Sequence, residues 1–231
     1  MTSLAAAAAA FLLIHFAVSG TRLRDAITAR IGDGPYMGLF SLASIATLTW
    51  AGFAYGGARH VADPVWWTAT PATKWVQLGV TFAAFLLAVP GLLTPSPTSV
   101  RQEATLDRPD VARGMVRITR HPFLSGVALW ASGHLLVNGD LASLILFGSL
   151  LVLSVFGPLS IDAKRRRALG PKWDAFAAQT SALPFAAILQ GRQSLKIGEI
   201  GWWRIAIAIV LWVALVWAHP LIFGVSALPG H

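Results

Sequence analysis

Residues 122–158 read PFLSGVALWASGHLLV-NGD-LASLILFGSLLVLSVFGP, which is two apolar runs separated by three polar or small residues. Neither run contains Asp, Glu, Lys or Arg. A helix needs about 20 predominantly apolar residues to cross the hydrocarbon core of a bilayer, so the ends of both runs are expected to extend into flanking residues. The intervening Asn138-Gly139-Asp140 predicts a tight turn. This stretch therefore predicts a hairpin of two transmembrane helices.

Four further apolar segments lie outside this hairpin, at residues 3–20, 36–57, 75–93 and 202–223. The 231-residue chain is 55% hydrophobic and only 12% charged, whereas a soluble domain carries about 25% charged residues. Only helices and closed barrels satisfy their backbone hydrogen bonds in lipid. We therefore predict one domain, residues 1–231, that is an all-α polytopic membrane bundle of about six transmembrane helices.

The basic residues predict the orientation of these helices. All but two of the 18 Lys and Arg residues fall in three segments on one side of the predicted membrane, and only Arg59 and Lys74 fall on the other. Because cytoplasmic loops carry the excess of Lys and Arg, both termini are expected outside and the three basic segments in the cytoplasm. The net charge of +8 is confined to these short segments, so a nucleic-acid partner is not expected.

Two basic segments are too long to be simple turns. In residues 101–120, charged residues alternate with Leu106, Val111, Met115 and Ile118 at an approximately helical spacing. This pattern predicts an amphipathic helix in the membrane interface. Residues 160–201 are expected to form a second cytoplasmic segment with amphipathic character.

Histidine is the side chain here with obvious capacity to bind a metal inside the membrane, since the chain has no cysteine. His15 and His134 lie within apolar segments, where an ionisable residue is a functional hypothesis by default. The alternative is a neutral imidazole bonded to a neighbouring helix. Two imidazoles from different helices suit the axial positions of haem iron, whereas catalytic zinc usually takes three protein ligands. A quinone or lipid pocket stays open, and depth along the helices pairs His134 better with His219 than with His15.

A polar cluster precedes the fourth apolar segment. Arg117, Arg120 and His121 fall at the cytoplasmic mouth of this predicted helix, and Pro122 takes its first position, where proline is tolerated. The cluster fits two interpretations equally well. It is either a set of interfacial side chains that extend towards water or an anion site for a lipid, haem propionate or nucleotide headgroup.

The sequence resembles the NnrU family of bacterial membrane proteins and its plant-type relatives, the 15-cis-zeta-carotene isomerases. The resemblance covers most of the chain and rests on several motifs together: His15 with Ser19-Gly20 and Leu23-Arg24-Asp25, residues 117–122, Trp130 with His134, residues 183–187, Gly191-Arg192-Gln193, and residues 218–221.

This resemblance implies a b-type haem held by two histidines, with His134 and His15 at the matching positions. His219, His121, Arg117 and Arg120 complete the predicted cofactor-binding set. In the isomerases the haem iron is thought to act on a polyene double bond through a redox-dependent ligand switch. That switch uses a cysteine where this chain has Ala131, so the switch in that form is not expected here. The family also implies a bacterial inner membrane, in which the orientation predicted from the basic residues makes both termini periplasmic, and an association with nitrogen-oxide metabolism and denitrification.

Part of the sequence also resembles membrane methyltransferases that act on isoprenylcysteine or phospholipids and bind S-adenosylmethionine. The matching positions are Arg120-His121-Pro122, Asp162, Leu169, Gly170, Trp173, Phe176 and Pro184, although the usual paired glutamates are missing. Three interpretations stay open. They are a haem b protein with isomerase, redox or nitrogen-oxide chemistry, a lipid methyltransferase, and a non-enzymatic assembly factor for a respiratory or denitrification complex. The corresponding partners are the lipid bilayer, a polyene or other hydrophobic small molecule, and a protein.

Overall fold

A computed structural model describes residues 1–59 and 64–230, so His60 and His231 lie outside the described residues. The α-helices are α1 (Thr2–Leu13, continued by a π-helix over Ile14–Ser19), α2 (Arg22–Ile31), α3 (Asp33–Ala58), α4 (Pro71–Leu92), α5 (Met115–Ile118), α6 (Pro122–Val137), α7 (Leu141–Leu169), α8 (Pro171–Gln179), α9 (Ala186–Leu189) and α10 (Trp202–Phe223). Two short strands, β1 (Val65–Thr68) and β2 (Asn138–Asp140), and two 3₁₀-helices (Glu103–Asp107 and Ile197–Glu199) complete the described elements.

The predicted all-α polytopic bundle is confirmed. Thr2–Ser19, α3, α4, α7 and α10 are each long and apolar enough to span a membrane, and the apolar α6 is shorter at 16 residues. Large apolar side chains point away from the protein along these helices, with Phe53 81% and Leu221 90% exposed. Such faces are compatible with lipid and not with water.

The six long helices pack in an order that differs from their order in the chain. α10 packs on α4, α4 on α6, α6 on α7, α7 on α1, and α1 on α3. The α6–α7 hairpin therefore occupies the middle of the bundle. The end of the bundle that carries α5, α8 and α9 is called the basic end below.

The contact between α4 and α6 depends on a glycine. A Cβ on Gly126 would lie 2.6 Å from the Ala84 carbonyl oxygen and 2.7 Å from the Ala88 methyl group. Both distances are well inside van der Waals contact, and the first neighbour is backbone that cannot rotate away. Gly126 thus lets α6 approach α4 closely, as small residues do between membrane helices.

We expect Gly126→Ala to destabilise the protein by about 1–3 kcal/mol, because overpacking a close helix contact forces the helices apart. Gly148→Ala in α7 is the matched control, since no heavy atom lies within 4 Å of a Cβ there. That change should be neutral or stabilising, because alanine favours helix over glycine. Thermal unfolding of both variants in detergent tests the difference, and equal melting temperatures would contradict this account of the contact.

The turn between α6 and α7 is as short as predicted and has an additional partner. β2 pairs antiparallel with β1, with Val65 opposite Asp140 and Thr68 opposite Asn138. A side chain on Gly139 would collide with the Trp67 backbone and ring. The Trp67 indole also donates a hydrogen bond to the Leu135 carbonyl at 2.9 Å. The hairpin is therefore fixed to the segment that precedes α4.

The predicted interfacial helix over residues 101–120 is wrong. The segment contains only the 3₁₀-helix Glu103–Asp107 and the single-turn α5, separated by irregular chain with Gly114 at φ 58°. Its apolar residues do not face lipid. Leu106 and Val111 pack against the buried Trp173 and Phe176 of α8, and Met115 and Ile118 are buried in a second cluster, so the apolar spacing reflects packing within the protein.

Candidate functional site

Two separate parts of the sequence form one cap over the basic end of the bundle. We define the cap as residues 115–122 and 180–193. The Arg120 amide donates to the Ser181 carbonyl at 2.9 Å, and the Phe185 amide donates to the Ile118 carbonyl at 2.8 Å. The Thr119 hydroxyl adds a hydrogen bond to the Ala182 carbonyl at 2.7 Å. Main-chain pairing of this kind holds the second segment in a fixed position above α6.

A buried ionic triad ties this cap to α7. The Asp162 carboxylate accepts hydrogen bonds from Arg120 Nε at 2.9 Å and Nη2 at 2.5 Å, and from His121 Nε2 at 2.7 Å. The three side chains are 14%, 13% and 2% exposed, respectively. The carboxylate thus joins the first turn of α6 to α7.

Arg117 forms a second ion pair within the basic end. Its guanidinium donates to Glu199 through Nε at 2.8 Å and Nη2 at 3.2 Å, and to the Gln193 side chain at 2.6 Å. The hydrogen bonds from Arg117, reinforced by one from the Gly114 amide against the cost of burial, lower the pKa of Glu199 to about 2. Glu199 is therefore ionised at neutral pH, and it anchors the chain before α10 to the cap.

The structure brings Arg120 and His121 together at Asp162, whereas Arg117 pairs separately with Glu199, so all three side chains are already bonded to carboxylates of the protein. An anion at these arginines would compete with Glu199 and Asp162. The anion-site interpretation of this cluster stays a prediction, and the observed contacts support a structural role. The methyltransferase and assembly-factor alternatives likewise stay predictions.

Below the cap lies an apolar cavity of about 940 Å³. It is bounded by α4, α6 and α7, by cap residues, and by the chain leading into α10. Its few polar groups are the hydroxyls of Ser125, Ser132 and Ser154. A cavity of this size and lining suits a hydrophobic small molecule.

Phe185 closes the basic side of this cavity in an unusual backbone conformation. Its φ is +64°, in the left-handed region that bulky residues rarely adopt. The conformation is held by the hydrogen bond from its own amide to the Ile118 carbonyl at 2.8 Å. Backbone strain that surrounding contacts maintain is concentrated at functional sites, and here it places an aromatic ring at the cavity wall.

The intramembrane histidines share one hydrogen-bond pattern. His15 Nδ1 lies 2.7 Å from the Phe11 carbonyl and His134 Nδ1 lies 2.8 Å from the Trp130 carbonyl. Because a carbonyl can only accept, each Nδ1 carries the proton, and each Nε2 retains its lone pair. Metal-bound histidines are held in this way by a second hydrogen bond that fixes the tautomer. The donor chemistry of both residues therefore fits axial ligation of haem iron.

The π-helix over Ile14–Ser19 carries His15. π-helical turns are rare and occur frequently at functional sites. The His15 ring contacts Phe11 and, in α3, Phe40, with ring centroids 4.4 Å and 5.2 Å away. The local change of helical register was not predicted from the sequence, because no residue there is a helix breaker.

The depth of the two histidines can be compared along α7. Leu4 and Ala142 share one buried cluster, and Gly20 lies against Ser160, so α1 and α7 run in the same direction. By this alignment His15 lies at the level of roughly residue 154 of α7. The His134 ring contacts Phe147 of the same helix. His15 is therefore about seven residues, roughly 10 Å, closer to the basic end than Phe147.

The direction in which each imidazole tilts bears on this difference in depth. α1 runs antiparallel to α6, and each imidazole bends back along its own helix to the carbonyl four residues earlier. The contact with Phe147 already gives the level of the His134 ring, so only the tilt of the His15 ring can shorten the separation in depth.

His219 occupies a different environment. Its Nδ1 lies 2.7 Å from the Val225 carbonyl, beyond the end of α10. The Trp212 indole donates a hydrogen bond to Thr81, which lies beside Gly133, so Trp212 and Gly133 are at similar depths. His219 follows Trp212 by about two helical turns and is therefore roughly 10 Å further from the basic end than Gly133. The depths of His219 and His15 differ from that of His134 by similar amounts, so depth alone does not choose between them. His219 is close enough to His134 for a charge on one ring to act on the other. No group of three or more metal-binding side chains occurs among the described residues.

One buried polar atom near His15 has no hydrogen-bond partner among the described residues. This atom is the hydroxyl of Tyr36, a residue that is 4% exposed. Its ring stacks on Phe40, which in turn contacts His15, and the Arg24 guanidinium lies 5.5 Å from the centre of the Tyr36 ring. A donor left free in this position is consistent with a bound group close to His15.

A family model described as "NnrU protein" matches residues 3–227. The chain belongs to the NnrU family. The family prediction is confirmed, and the two cap segments contain three of the motifs on which the resemblance rests, residues 117–122, 183–187 and 191–193. The cap is thus a feature of this NnrU protein that distant parts of its sequence build jointly.

Two curated relatives are plant enzymes. This NnrU protein is 26% identical over 226 residues to "15-cis-zeta-carotene isomerase, chloroplastic" of Arabidopsis thaliana, which covers 94% of this chain and 59% of the relative. It is 25% identical over 217 residues to the protein of the same name from Zea mays, with 91% and 58% covered. The chain thus spans about three fifths of the length of these relatives. No solved structure matches it.

Proposed function

We propose that this NnrU protein is a haem b-binding membrane protein that acts on a polyene, as the isomerases it resembles do according to their names. The observation that carries the haem half of the proposal is the pair His15 and His134. Each presents an Nε2 lone pair from a helix that packs on α7, with its tautomer fixed by a backbone carbonyl. When bound, haem would supply a redox-active iron centre between these helices.

The polyene half of the proposal rests on the apolar cavity. A cavity of about 940 Å³ with three hydroxyl groups offers dispersion and burial to a hydrocarbon and little to a charged molecule. Ser132 lines it, and His134 lies two residues later, about 200° around α6. The cavity and His134 are therefore on opposite faces of α6. A haem held by His134 would be separated by this helix from a polyene in the cavity, so the haem and polyene halves of the proposal are tested separately.

The absorption spectrum of the purified protein tests haem binding. Expression with ample haem should give a Soret band that is lost or shifted in His134→Ala, and weakened or shifted in His15→Ala. His219→Ala distinguishes the two candidates for the second ligand, because an unchanged spectrum supports His15 whereas a lost or shifted Soret band supports His219. A colourless wild-type protein, or an unchanged spectrum in His134→Ala, would count against the proposed ligand set.

Conversion of 15-cis-zeta-carotene by the purified haem-loaded protein tests the isomerase half of the proposal. The expected product is the isomer with a trans bond at position 15. If the protein binds 15-cis-zeta-carotene without converting it, the cavity remains the proposed polyene site but the proposed isomerase activity is overturned. We further propose that the protein lies in a bacterial inner membrane with both termini periplasmic. The distribution of basic residues supports this orientation.

A further inference from the structure

A second pocket, of about 360 Å³, lies at the basic end and is polar. The residues that follow α4, the loop before α5 and the start of α10 form its walls. It contains three arginines, Arg108, Arg113 and Arg204, and two carboxylates, Asp110 and Glu199. The pocket is distinct from the apolar cavity and from the histidines of the proposed haem site.

The carboxylates in this pocket are already paired. Asp110 accepts from Arg113 at 3.2 Å, and Glu199 accepts from Arg117 at 2.8 Å. Arg204 donates only to the carbonyl oxygens of Leu93 and Ile200, at 3.1 Å and 2.8 Å, among the described residues.

Arg108 makes no side-chain hydrogen bond or ion pair with any part of the chain that the structure describes. Arg108 and Arg204 thus give the pocket two positive charges without a carboxylate partner in the described ranges.

The pocket opens at the boundary of the apolar helices. Trp202 and Trp203 begin α10 and are 71% and 54% exposed. The Arg204 guanidinium lies 4.7 Å from the centre of the Trp203 ring. Tryptophans at the ends of membrane helices lie at the level of the lipid headgroups, so Arg204 is placed where headgroup phosphates are.

We infer that this pocket binds a phosphate group, and that Arg108 and Arg204 are the residues that hold it. Guanidinium groups bind phosphate oxygens through charge-assisted hydrogen bonds. Basic pockets beside membrane helices are suited to anionic lipid headgroups. Two sources share this chemistry, an anionic phospholipid and free inorganic phosphate. The inference is independent of the proposed function, because it involves neither the histidines nor the cavity.

Thermal unfolding of the purified full-length protein in a neutral detergent tests the inference. Phosphatidylglycerol, phosphatidylcholine and inorganic phosphate are titrated separately. Phosphatidylglycerol is expected to raise the melting temperature, whereas phosphatidylcholine should not. The concentration of phosphatidylglycerol needed for half of this effect should rise at least tenfold in the Arg108→Gln, Arg204→Gln double variant. Inorganic phosphate acting through the same two arginines would support the phosphate site and identify the free ion as its source.

Arg167→Gln is the control, because Arg167 is exposed on α7 and does not line the pocket. This variant should respond like the wild type. If the double variant does not fold, Arg108→Gln alone gives the test, since Arg108 has no side-chain partner in the described residues. Stabilisation by either phosphate source that is unchanged when these arginines are replaced would overturn the inference, as would a complete lack of stabilisation in the wild type.

Discussion

Asp162→Ala is expected to destabilise the protein by about 3–5 kcal/mol, because removing one partner of a buried ion pair leaves the other charge uncompensated. Here two groups lose their acceptor at once. Arg120 loses both of its carboxylate hydrogen bonds, and the nearly inaccessible His121 loses its contact at 2.7 Å. The first turn of α6 and the cap should then detach from α7. Thermal or denaturant unfolding in detergent measures this effect.

Asp174→Ala is the matched control. Asp174 also forms an ion pair with an arginine, Arg166 at 2.7 Å, but the two side chains are 56% and 59% exposed. An exposed pair of this kind contributes about 0–1 kcal/mol. Asp162→Asn should fall between the two, since the amide oxygen keeps one acceptor but lacks the charge. If Asp162→Ala and Asp174→Ala cost the same, the triad does not hold the cap.

A second large effect is expected when the apolar cavity is filled. Ser132→Phe places a ring in the space between α6 and the cavity walls, so we expect the dissociation constant for a polyene to rise at least tenfold. Ser132 is exposed within the described structure, so the larger side chain need not disrupt helix packing. Quenching of tryptophan fluorescence by the bound polyene measures the affinity.

Leu136→Phe is the control for this substitution. Leu136 lies one turn further along α6, is 38% exposed and does not line the cavity. It should leave polyene affinity unchanged, and both variants should keep the wild-type absorption spectrum because the cavity and His134 lie on opposite faces of α6. A Ser132→Phe variant that binds polyene as tightly as the wild type would exclude the cavity as the binding site.

The membrane helices were predictable because hydropathy is a local property of the chain. The expected extension of the hairpin helices is confirmed for α7, which continues past the apolar run at Pro158 to Leu169, but not for α6, which ends at Val137. The basic residues at positions 164–167 ended the apolar pattern but are good helix formers. For residues 101–120 the sequence predicted a continuous helix that the structure does not have. Their helical spacing came from side chains that pack in two different clusters, Leu106 and Val111 against α8 and Met115 and Ile118 with Leu87 and Ile200. Gly114, at φ 58°, interrupts any continuous helix.

The candidate site was predictable only in part. The motif at residues 117–122 identified Arg117, Arg120 and His121, because their residue types and position at a helix start are visible in the sequence. Glu199 was missed as the partner of Arg117, since the two are far apart in sequence and only the fold brings them within 2.8 Å. The cavity and the π-helix at His15 also depend on how helices pack, which no local pattern encodes.

The order in which the helices pack has a consequence for biosynthesis. α1 and α3 emerge first and can pair at once, but α4 finds its main partners in α6 and α10, which are made later. The α6–α7 hairpin must therefore enter between helices that are already in the membrane, joining α4 on one side to α1 on the other. Until it does, the first half of the chain consists of a helix pair and a separate helix with lipid between them. Assembly of the bundle thus waits for residues 122–169, and a chain interrupted before them has no bundle to complete.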